Sequence, residues 1–447
     1  MRKNSYAFCG GAFGDEGKGK IVDEYVNSLV GDSEVIVYRD NGGANAGHTI
    51  ELENGDRLAL HQLPSGVVSS KARVILGKGM VLHPGDLLGE IESVQKLLGK
   101  AKHGTIMIDE MAALALDTHR AYESVLQKWQ TGYGATGRGI SPAYADILLR
   151  HPLRARDLLS FDEAKIRKHY QLYQSLITGL GGELATVLVP TGEGETIAVG
   201  TESEFVNRLK KQSSVLKSYI QPVGDFLKSK WQDEAIPFVF EKAQAIGLDA
   251  RWGVYPDVTA SDTTFAGILH STEGIVSPSD ITIRAAVIKA TYMSTVGSRV
   301  LPTMMEEKLA SRIREDAHEY GATTKRPRGI AYLDIPMLRF FAQVGDVNSY
   351  ILTHMDIVYP DTPLKVCIGY TRGGIPVDYR PDQEYLNTVT PVYQEFAPWD
   401  ALAIKQAKTA SELPKPARNY LDFIAKAVGH KIIMITTGPK RSEYLKL

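Results

Sequence analysis

Short apolar runs alternate with segments of helical periodicity through the first part of the chain. Residues 5–11 (SYAFCGG) and 34–40 (EVIVYRD) are short, mainly apolar runs that are typical of buried strands. Between them, apolar residues in 21–30 (IVDEYVNSLV) recur at the spacing of a helix, and 73–79 (RVILGKG) and 105–110 (TIMIDE) predict two further strands. Strands that alternate with helices predict a parallel or mostly parallel sheet with helices on its faces.

The middle of the chain differs from both ends. Residues 161–238 are more charged and predict helices with a break near Pro222. The α/β pattern then returns, in segments 258–261 (VTAS), 281–294 (ITIRAAVIKATYMS), 349–358 (SYILTHMDIV), 365–370 (KVCIGY) and 431–441 (KIIMITTGPKR). No linker rich in Pro, Gly or Ser divides the chain. We therefore expect one α/β domain, residues 1–447, with a large central, mostly parallel β-sheet flanked by helices and with helical insertions.

Composition and charge restrict the class of protein. Hydrophobic residues make up 43% and charged residues 23% of the 447 positions, as in soluble globular proteins with a large core. The formal net charge is −1, so we expect neither nucleic acid nor a membrane as a partner. The sequence shows no signal peptide and no apolar run of about 18 residues. Cys9 and Cys367 lie far apart, so we expect a cytoplasmic location without a disulfide framework.

A glycine-rich segment, GGAFGDEGKGK, follows the first predicted strand and precedes the first predicted helix. Such a segment brings backbone N–H groups to a phosphate at a helix N-terminus, where Lys18 or Lys20 could reach phosphoryl oxygens. Ile21 stands where a nucleotide-triphosphate loop has the Ser or Thr that holds Mg²⁺. Asp15 and Glu16 would repel a triphosphate unless one of them binds Mg²⁺ or acts as a base. A glycine-rich surface turn with ordinary charges is the alternative interpretation.

Four further segments carry candidate binding groups. Residues 41–50 (NGGANAGHTI) follow a strand and offer amides and His48, which is either a proton donor or a structural histidine. Residues 131–146 (TGYGATGRGISPAYAD) combine Thr, Gly and Arg in a way that suits an oxyanion or a phosphate. Residues 321–329 (GATTKRPRG) place arginines beside hydroxyls, which suits a carboxylate or, alternatively, a solvated basic loop. THMD, residues 353–356, is similar to the N/T-K-x-D element that reads guanine, with His in place of Lys.

Taken together, these segments resemble the motifs of adenylosuccinate synthetases. FGDEGKGK matches W-G-D-E-G-K-G-K, GGANAGHT matches G-G-x-N-A-G-H-T, and TGRGISPAYAD matches T-G-R-G-I-x-P-A-Y-x-D. GATTKRPR matches the aspartate-binding G-A-T-T-G-R-x-R, and TTGPKR matches S-T-G-P-x-R. FEKAQAIGLDARWGVYPDVT matches F-E-x-A-Q, L-D and G-x-Y-P-x-V-T. The matches follow the family's order from residue 6 to residue 441, so the resemblance covers nearly the whole chain.

The resemblance implies a ligase that joins L-aspartate to C6 of IMP with GTP hydrolysis, giving adenylosuccinate, GDP and phosphate through a 6-phosphoryl-IMP intermediate. It implies that Asp15 is the general base, that His48 donates a hydrogen bond or a proton to phosphoryl oxygens, and that Lys18 stabilises the transferring phosphoryl group. It also implies that Mg²⁺ is held by Asp15 and the backbone carbonyl of Gly47, so that no Ser or Thr is needed after Lys20.

Other positions match the family's binding sites for its three substrates. The matches to the IMP site are Asn45, Thr136, Gln244, Thr259 and Arg150, the last of which reaches the nucleotide of the neighbouring subunit in the family's homodimer. The matches to the aspartate site are Thr323, Arg326 and Arg328. The matches to the GTP site are Gly14, Glu16, Gly17, Gly19, Lys20, Thr49, His354, Asp356, Thr436 and Gly438.

Some positions depart from the family's motifs. His354 replaces the Lys that precedes the guanine-reading Asp, and Lys325 replaces a Gly of the aspartate loop. Arg251 and Trp252 replace an acidic residue and a His. These departures leave open a specialised member that uses dGMP, another purine monophosphate, or ATP as the donor, although the retained Asp15 favours IMP. From a different class, a non-catalytic GTP-binding protein is the alternative.

Overall fold

A computed structural model describes residues 2–29, 31, 34–52, 55–99, 102–129, 136–192, 194–295, 297, 299–321 and 327–447. Its strands are, in chain order, β1 (Arg2–Gly10), β2 (Val35–Arg39), β3 (His48–Glu51), β4 (Arg57–Leu60), β5 (Ala72–Leu76), β6 (Val81–Leu82), β7 (Thr105–Asp109), β8 (Ala113–Leu114), β9 (Leu188–Pro190), β10 (Thr196–Ala198), β11 (Ile220–Gln221), β12 (Phe238–Ala245), β13 (Ile281–Lys289), β14 (Met293–Thr295), β15 (Gly329–Ala331), β16 (Leu333–Asp334), β17 (Ser349–Thr353), β18 (Leu364–Arg372), β19 (Ile375–Val377), β20 (Thr390–Phe396), β21 (Lys431–Thr436) and β22 (Tyr444–Lys446). Its α-helices are α1 (Lys18–Leu29), α2 (Pro84–Leu98), α3 (Asp117–Leu126), α4 (Ile140–Leu148), α5 (Ala155–Ser160), α6 (Glu163–Gly179), α7 (Glu202–Leu216), α8 (Gly224–Gln232), α9 (Ala266–Ser271), α10 (Glu307–Ala317), α11 (Ile335–Gly345), α12 (Gln383–Leu386), α13 (Ala401–Gln406) and α14 (Lys415–Val428).

The described residues build one large sheet of ten strands in the order β11-β7-β5-β2-β12-β1-β13-β17-β21-β22. Each neighbouring pair is parallel except the edge pair of β21 and β22, which is antiparallel. The mostly parallel sheet predicted from the alternation of strands and helices is therefore confirmed.

Both faces of the central sheet are covered, because parallel strands bury their two faces under helices. Side chains of β1 alternate between two apolar clusters. Ala7 packs with Phe240 of β12 on one face, and Phe8 packs with Val239 of the same strand on the other. The core thus lies in two layers, one on each side of the sheet.

Most of the elements predicted from the apolar pattern are present. The first predicted strand and helix correspond to β1 and α1, and the predicted helical middle contains α6 to α8, with α7 ending at Leu216 and α8 beginning at Gly224 around the predicted break. The run 365–370 is part of β18, which pairs with β16, β19 and β20 in a separate small sheet. Residues 258–261 form no strand, contrary to the α/β pattern expected there. None of the helices in these described ranges is both long and apolar enough to cross a membrane.

Asp334, the N-cap of α11, is a fully buried carboxyl group. Its two oxygens accept from the backbone N–H of Met337 at 3.1 Å and from the hydroxyl of Tyr370. Burial raises the pKa of Asp334 to about 7, and the two hydrogen bonds only partly oppose it. A carboxyl group with a raised pKa holds a proton more tightly in the folded chain than in the unfolded one, where the pKa is about 3.9.

We therefore expect Asp334 to lower the free energy of unfolding as pH rises from about 4 to about 7, by about 4 kcal/mol at most. Asp334→Asn keeps a hydrogen-bonding group without a titrating proton and should flatten this dependence. Urea titrations at pH 5 and pH 8 would measure the difference. Asp162→Asn provides the control, because Asp162 caps α6 in the same way but belongs to an exposed cap. An unchanged pH dependence in Asp334→Asn would contradict the prediction.

Candidate active site

The loops that follow β1, β17 and β21 meet at one edge of the sheet. Thr353, the last residue of β17, donates from Oγ1 to the carbonyl oxygen of Glu16 in the β1 loop at 2.8 Å. Lys20, in the first turn of α1, donates from Nζ to the carbonyl oxygen of Gly438, which follows β21, at 2.5 Å. Ligands of open α/β sheets bind at this edge, beyond the carboxyl ends of the strands.

The β1 loop is sharply bent and ends at the N-terminus of α1. Gly14, Asp15 and Gly17 have φ angles of 99°, 56° and 88°, in the left-handed region that glycine adopts without strain. The buried carboxylate of Glu16 accepts from the backbone N–H of Gly14 at 2.7 Å and lies 3.0 Å from Nζ of Lys18. Glu16 therefore holds the loop in shape, while the N-terminus of α1 offers backbone N–H groups to an anion.

Asp15 contacts Arg328, although the sequence predicts that they serve different substrates. Oδ2 of Asp15 pairs with the guanidinium of Arg328. Arg328 also donates from Nη1 to Oε2 of Glu319 at 2.8 Å, and Glu319 accepts from the hydroxyl of Tyr292 at 2.6 Å and pairs with Lys289. A buried network of charges thus holds Arg328 against the β1 loop.

Glu319 is the anchor of this network. Burial by itself would raise the pKa of the Glu319 carboxyl, but the positive charges of Lys289 and Arg328 outweigh it and lower the pKa to about 2. Glu319 is therefore ionised at neutral pH. Because a carboxylate that stays ionised in the core must remain paired, Glu319 holds Lys289 and Arg328 in place.

His48, the first residue of β3, is buried beside α1. Its Nδ1 contacts the carboxylate of Glu241, and Glu241 accepts from the backbone N–H and the hydroxyl of Ser65, each at 2.7 Å. Burial lowers the pKa of His48, and the charge of Glu241 opposes this. A Cβ on Gly19 would lie 3.1 Å from the Cβ of His48 and 3.2 Å from the hydroxyl of Ser65, so a glycine lets this histidine approach α1 closely.

A cavity of about 210 Å³ opens between α1, the β3–β4 hairpin and the turn after β21. Lys20, whose pKa burial lowers to about 8, lies on its wall together with the exposed Thr49. Its lining residues are Lys20, Asp23, Thr49, Ile50, Glu51, Arg57, Pro439 and Arg441. Two residues predicted for the nucleotide site therefore border one cavity.

His354 and Asp356 follow β17 beside that turn. The backbone N–H of His354 donates to the hydroxyl of Thr436 at 3.2 Å, and its ring faces Tyr292 with the centroids 5.9 Å apart. Burial and then the positive charge of Lys289 lower the pKa of His354 to about 4, so the ring is neutral at pH 7. The carboxylate of Asp356 lies 3.2 Å from Nζ of Lys405.

The predicted IMP residues Asn45, Gln244 and Thr259 lie near the β1 and β2 loops. Oδ1 of Asn45 accepts from the backbone N–H of Gly43 at 3.2 Å. Gln244 has a left-handed φ of 58° and a buried Nε2 without a partner among the described residues. The backbone N–H of Thr259 bonds to Leu248, whose side chain faces Gly14. An unpartnered buried amide donor next to these loops suits a polar ligand.

Five other predicted site residues are either exposed or outside the described residues. Thr136 and Arg150 are exposed. Gly47 is exposed and adjoins His48. Thr323 and Arg326 lie outside the described residues, so only Arg328 of the predicted aspartate loop can be placed.

Asp15 and the Gly47 carbonyl are the predicted Mg²⁺ ligands, and both offer the oxygen atoms that this cation prefers. A second cluster, His119, Asp146 and His169, is buried elsewhere and also has ligand atoms close together. It does not suit Mg²⁺, because imidazole nitrogens favour other metals. Nδ1 of His119 accepts from a backbone N–H at 2.8 Å, so its Nε2 carries the proton that it donates to Asp146. This cluster is a hydrogen-bonded core network.

Sequence reasoning did not identify two residues of the site, Glu241 and Glu319. Glu241 lies in the strand FVFEKAQA, where a charged pair interrupts an apolar run. A charge within a buried strand requires a partner, and that signal could have been used. Glu319 lies in a charged segment beyond α10, where nothing in the sequence separates it from surface residues.

Comparisons with known proteins agree with this arrangement. The sequence matches the model of the adenylosuccinate synthetase family over residues 7–445. An adenylosuccinate synthetase from Caldicellulosiruptor saccharolyticus is 33% identical over 444 residues, which cover 98% of each chain. One from Clostridium botulinum is 33% identical over 452 residues, which cover 99% of each chain.

Two solved structures are similar as well. That of the fully ligated adenylosuccinate synthetase from Plasmodium falciparum has a TM-score of 0.85 at 29% identity, with coverage of 99% of this chain and 100% of that chain. That of the cyanophage S-2L succinoaminodeoxyadenylate synthetase bound to dGMP and dATP has a TM-score of 0.58 at 17% identity, and supports the fold alone. The match over nearly all of the sequence, in a fold that gathers the predicted loops at one edge of the sheet, means that this chain belongs to the adenylosuccinate synthetase family of ligases.

Proposed function

We propose that the chain joins L-aspartate to C6 of IMP and hydrolyses GTP, giving adenylosuccinate, GDP and phosphate. The contact between Asp15 and Arg328 is the observation that carries this proposal. It places a carboxylate suited to deprotonate a purine next to a guanidinium suited to bind a carboxylate. A GTP-binding protein without ligase chemistry would not need the second group.

The oxo group of a purine is a poor leaving group, so the first step activates it. Asp15 removes the proton from N1 of IMP, and the O6 anion attacks the γ-phosphorus of GTP while the bond to the β-phosphate oxygen breaks. Lys18 and His48 stabilise the negative charge on the phosphoryl oxygens. The amine of aspartate then attacks C6, loses a proton and expels phosphate.

Substrate binding must rearrange the contact between Asp15 and Arg328. Arg328 reaches Asp15 with one nitrogen and Glu319 with another, so an aspartate carboxylate can replace Asp15 while Glu319 keeps the guanidinium in place. Asp15 is then free to approach N1 of the purine. Binding of aspartate and release of Asp15 both involve the guanidinium of Arg328. Aspartate binding is therefore coupled to the availability of Asp15 as the base.

Magnesium fits the oxygen ligands Asp15 and Gly47, and when bound it neutralises charge on the phosphate groups. GTP is the proposed donor because Asp356 offers a carboxylate to the N1–H and the amine of guanine. The exposed Arg150 is free to reach a second copy, in keeping with a homodimer. We propose a cytoplasmic enzyme in which the whole chain forms one catalytic unit.

A substrate matrix tests the proposed function. The purified protein with Mg²⁺ and aspartate is offered IMP, GMP or dGMP, each with GTP or ATP, and phosphate release is measured. We expect turnover with IMP and GTP. Turnover only with dGMP, or a preference for ATP, would instead point to a specialised ligase in which the neutral His354 has altered the donor site. Absence of aspartate-dependent turnover in every combination would contradict the proposed ligase activity.

A further inference from the structure

Tyr292, between β13 and β14, is a buried tyrosine that lies between two of the predicted binding elements. Its hydroxyl donates to Oε1 of Glu319 at 2.6 Å, and Glu319 in turn holds Arg328 of the predicted aspartate loop. Its ring lies edge-on to His354, which belongs to the predicted donor site, with the centroids 5.9 Å apart. One side chain therefore contacts both the carboxylate behind the aspartate loop and the donor element.

The packing around Tyr292 fixes the position of its hydroxyl group. The side chain is completely buried and belongs to an apolar cluster with Met305, Ile313 and Ile330. On another side, Nζ of Lys289 lies 5.2 Å from the centroid of the ring. The oxygen of a tyrosine lies on the axis of a rigid ring, so a close-packed ring holds this oxygen in one place.

The two oxygens of Glu319 have different partners. Oε1 accepts from the hydroxyl of Tyr292 and from Nζ of Lys289, whereas Oε2 accepts from Nη1 of Arg328 at 2.8 Å. Lys289 also donates to the hydroxyl of Ser294 at 2.5 Å. An ammonium group on a flexible stem supplies charge but little direction. The rigid hydroxyl of Tyr292 is therefore the donor that fixes how the carboxylate is turned.

We propose that Tyr292 is a positioning residue that aligns Glu319 and thereby holds the guanidinium of Arg328 in the orientation that binds the aspartate carboxylate. The inference rests on the proposed function, because that function gives Arg328 its ligand. When the substrate carboxylate replaces Asp15, Glu319 remains the protein partner of the guanidinium. A planar guanidinium binds a carboxylate well only in a fixed orientation, so a freely turning Glu319 would weaken aspartate binding.

Tyr292→Phe tests this role, because it removes the hydroxyl and keeps the ring against His354. We expect the KM for aspartate to rise about 3- to 10-fold, as for the loss of one hydrogen bond. Both kcat and the KM for GTP should change less than about twofold, a separation that general loosening of the site would not produce. A folded variant with an unchanged KM for aspartate, or one that loses kcat instead, would overturn the proposal.

The double variant Tyr292→Phe/Arg328→Leu shows whether Tyr292 acts through Arg328. If it does, removing the hydroxyl has no further effect once the guanidinium is gone, and the KM for aspartate should equal that of Arg328→Leu. Effects of the two substitutions that multiply would mean that Tyr292 influences aspartate by another route, and the proposal would be wrong.

Tyr173→Phe is the matched control. Tyr173 is also buried, and its hydroxyl donates to Oδ1 of Asp146 at 2.7 Å in the core network of α3, α4 and α6. The same chemical change is thus made at another buried carboxylate, and the KM for aspartate should stay that of the wild-type protein. A comparable rise in this variant would show that the effect is not specific to Tyr292 and would contradict the proposal.

A measurement without turnover separates this inference from the proposed function. In ¹⁵N NMR on protein labelled at arginine, the Arg328 signals are assigned by their loss in Arg328→Lys, and exchange between its two Nη signals reports rotation of the guanidinium. We expect faster exchange in Tyr292→Phe than in the wild-type protein, and unchanged exchange would overturn the proposal. If the wild-type protein has no aspartate-dependent turnover, the proposed function fails, but this exchange still decides whether Tyr292 holds Arg328.

Discussion

Asp15→Asn is expected to lower the rate of IMP-dependent phosphate release by about 10³-fold, because the amide cannot accept the N1 proton of the purine. Asparagine also tolerates the left-handed backbone of this position, where φ is 56°. The loop conformation should therefore survive, and the thermal midpoint should stay close to that of the wild-type protein. Initial rates at saturating IMP, aspartate and GTP measure the effect.

Asp346→Asn is the matched control for this substitution. Asp346 ends α11 with a φ of 55°, so the same chemical change is made in nearly the same backbone conformation, at an exposed site. Its rate should equal that of the wild-type protein. A variant at Asp15 that retained more than about a tenth of the rate would exclude this carboxylate as the base.

Arg328→Leu is expected to raise the KM for aspartate by about 10- to 100-fold, which corresponds to the loss of a charge-assisted hydrogen bond to the substrate carboxylate. The KM for GTP should change little, because the cavity beside Lys20 does not include Arg328. Glu319 keeps Lys289 as a partner in the variant, so the buried carboxylate is not left alone. Steady-state kinetics with aspartate and GTP varied separately distinguish the two effects.

Arg312→Leu serves as the control for loss of an arginine, since Arg312 pairs with Asp361 on the surface at 3.0 Å. Arg328→Lys adds a graded comparison, because lysine keeps the charge but cannot bridge two carboxylates as a guanidinium does. We expect its KM for aspartate to lie between those of the wild-type protein and Arg328→Leu. An unchanged KM in Arg328→Leu would remove this residue from the aspartate site.

The sequence could predict those helices and strands that depend only on a local pattern of residues. β1 and α1 follow from an apolar run, a glycine-rich turn and helical spacing, which all lie within 30 residues. The contact of Asp15 with Arg328 could not be predicted in this way, because it depends on how a distant loop folds over the sheet. The central strand β12 was not predicted, because charged residues interrupt its apolar run. Buried partners stabilise these charges in the folded chain, and the apolar pattern does not show such partners.

The position of β1 in the sheet affects how the chain folds during its synthesis. β1 leaves the ribosome well before its two neighbours, β12 and β13, which begin at Phe238 and Ile281. Pairing of segments so far apart is slow, because a long loop must close before any contact compensates for it. β1 therefore remains unpaired until β12 and β13 have been synthesised, and until then it is exposed to aggregation or to a chaperone. The phosphate-binding loop that follows β1 takes its final shape only after this late closure, so a truncated nascent chain cannot bind nucleotide as the finished protein does.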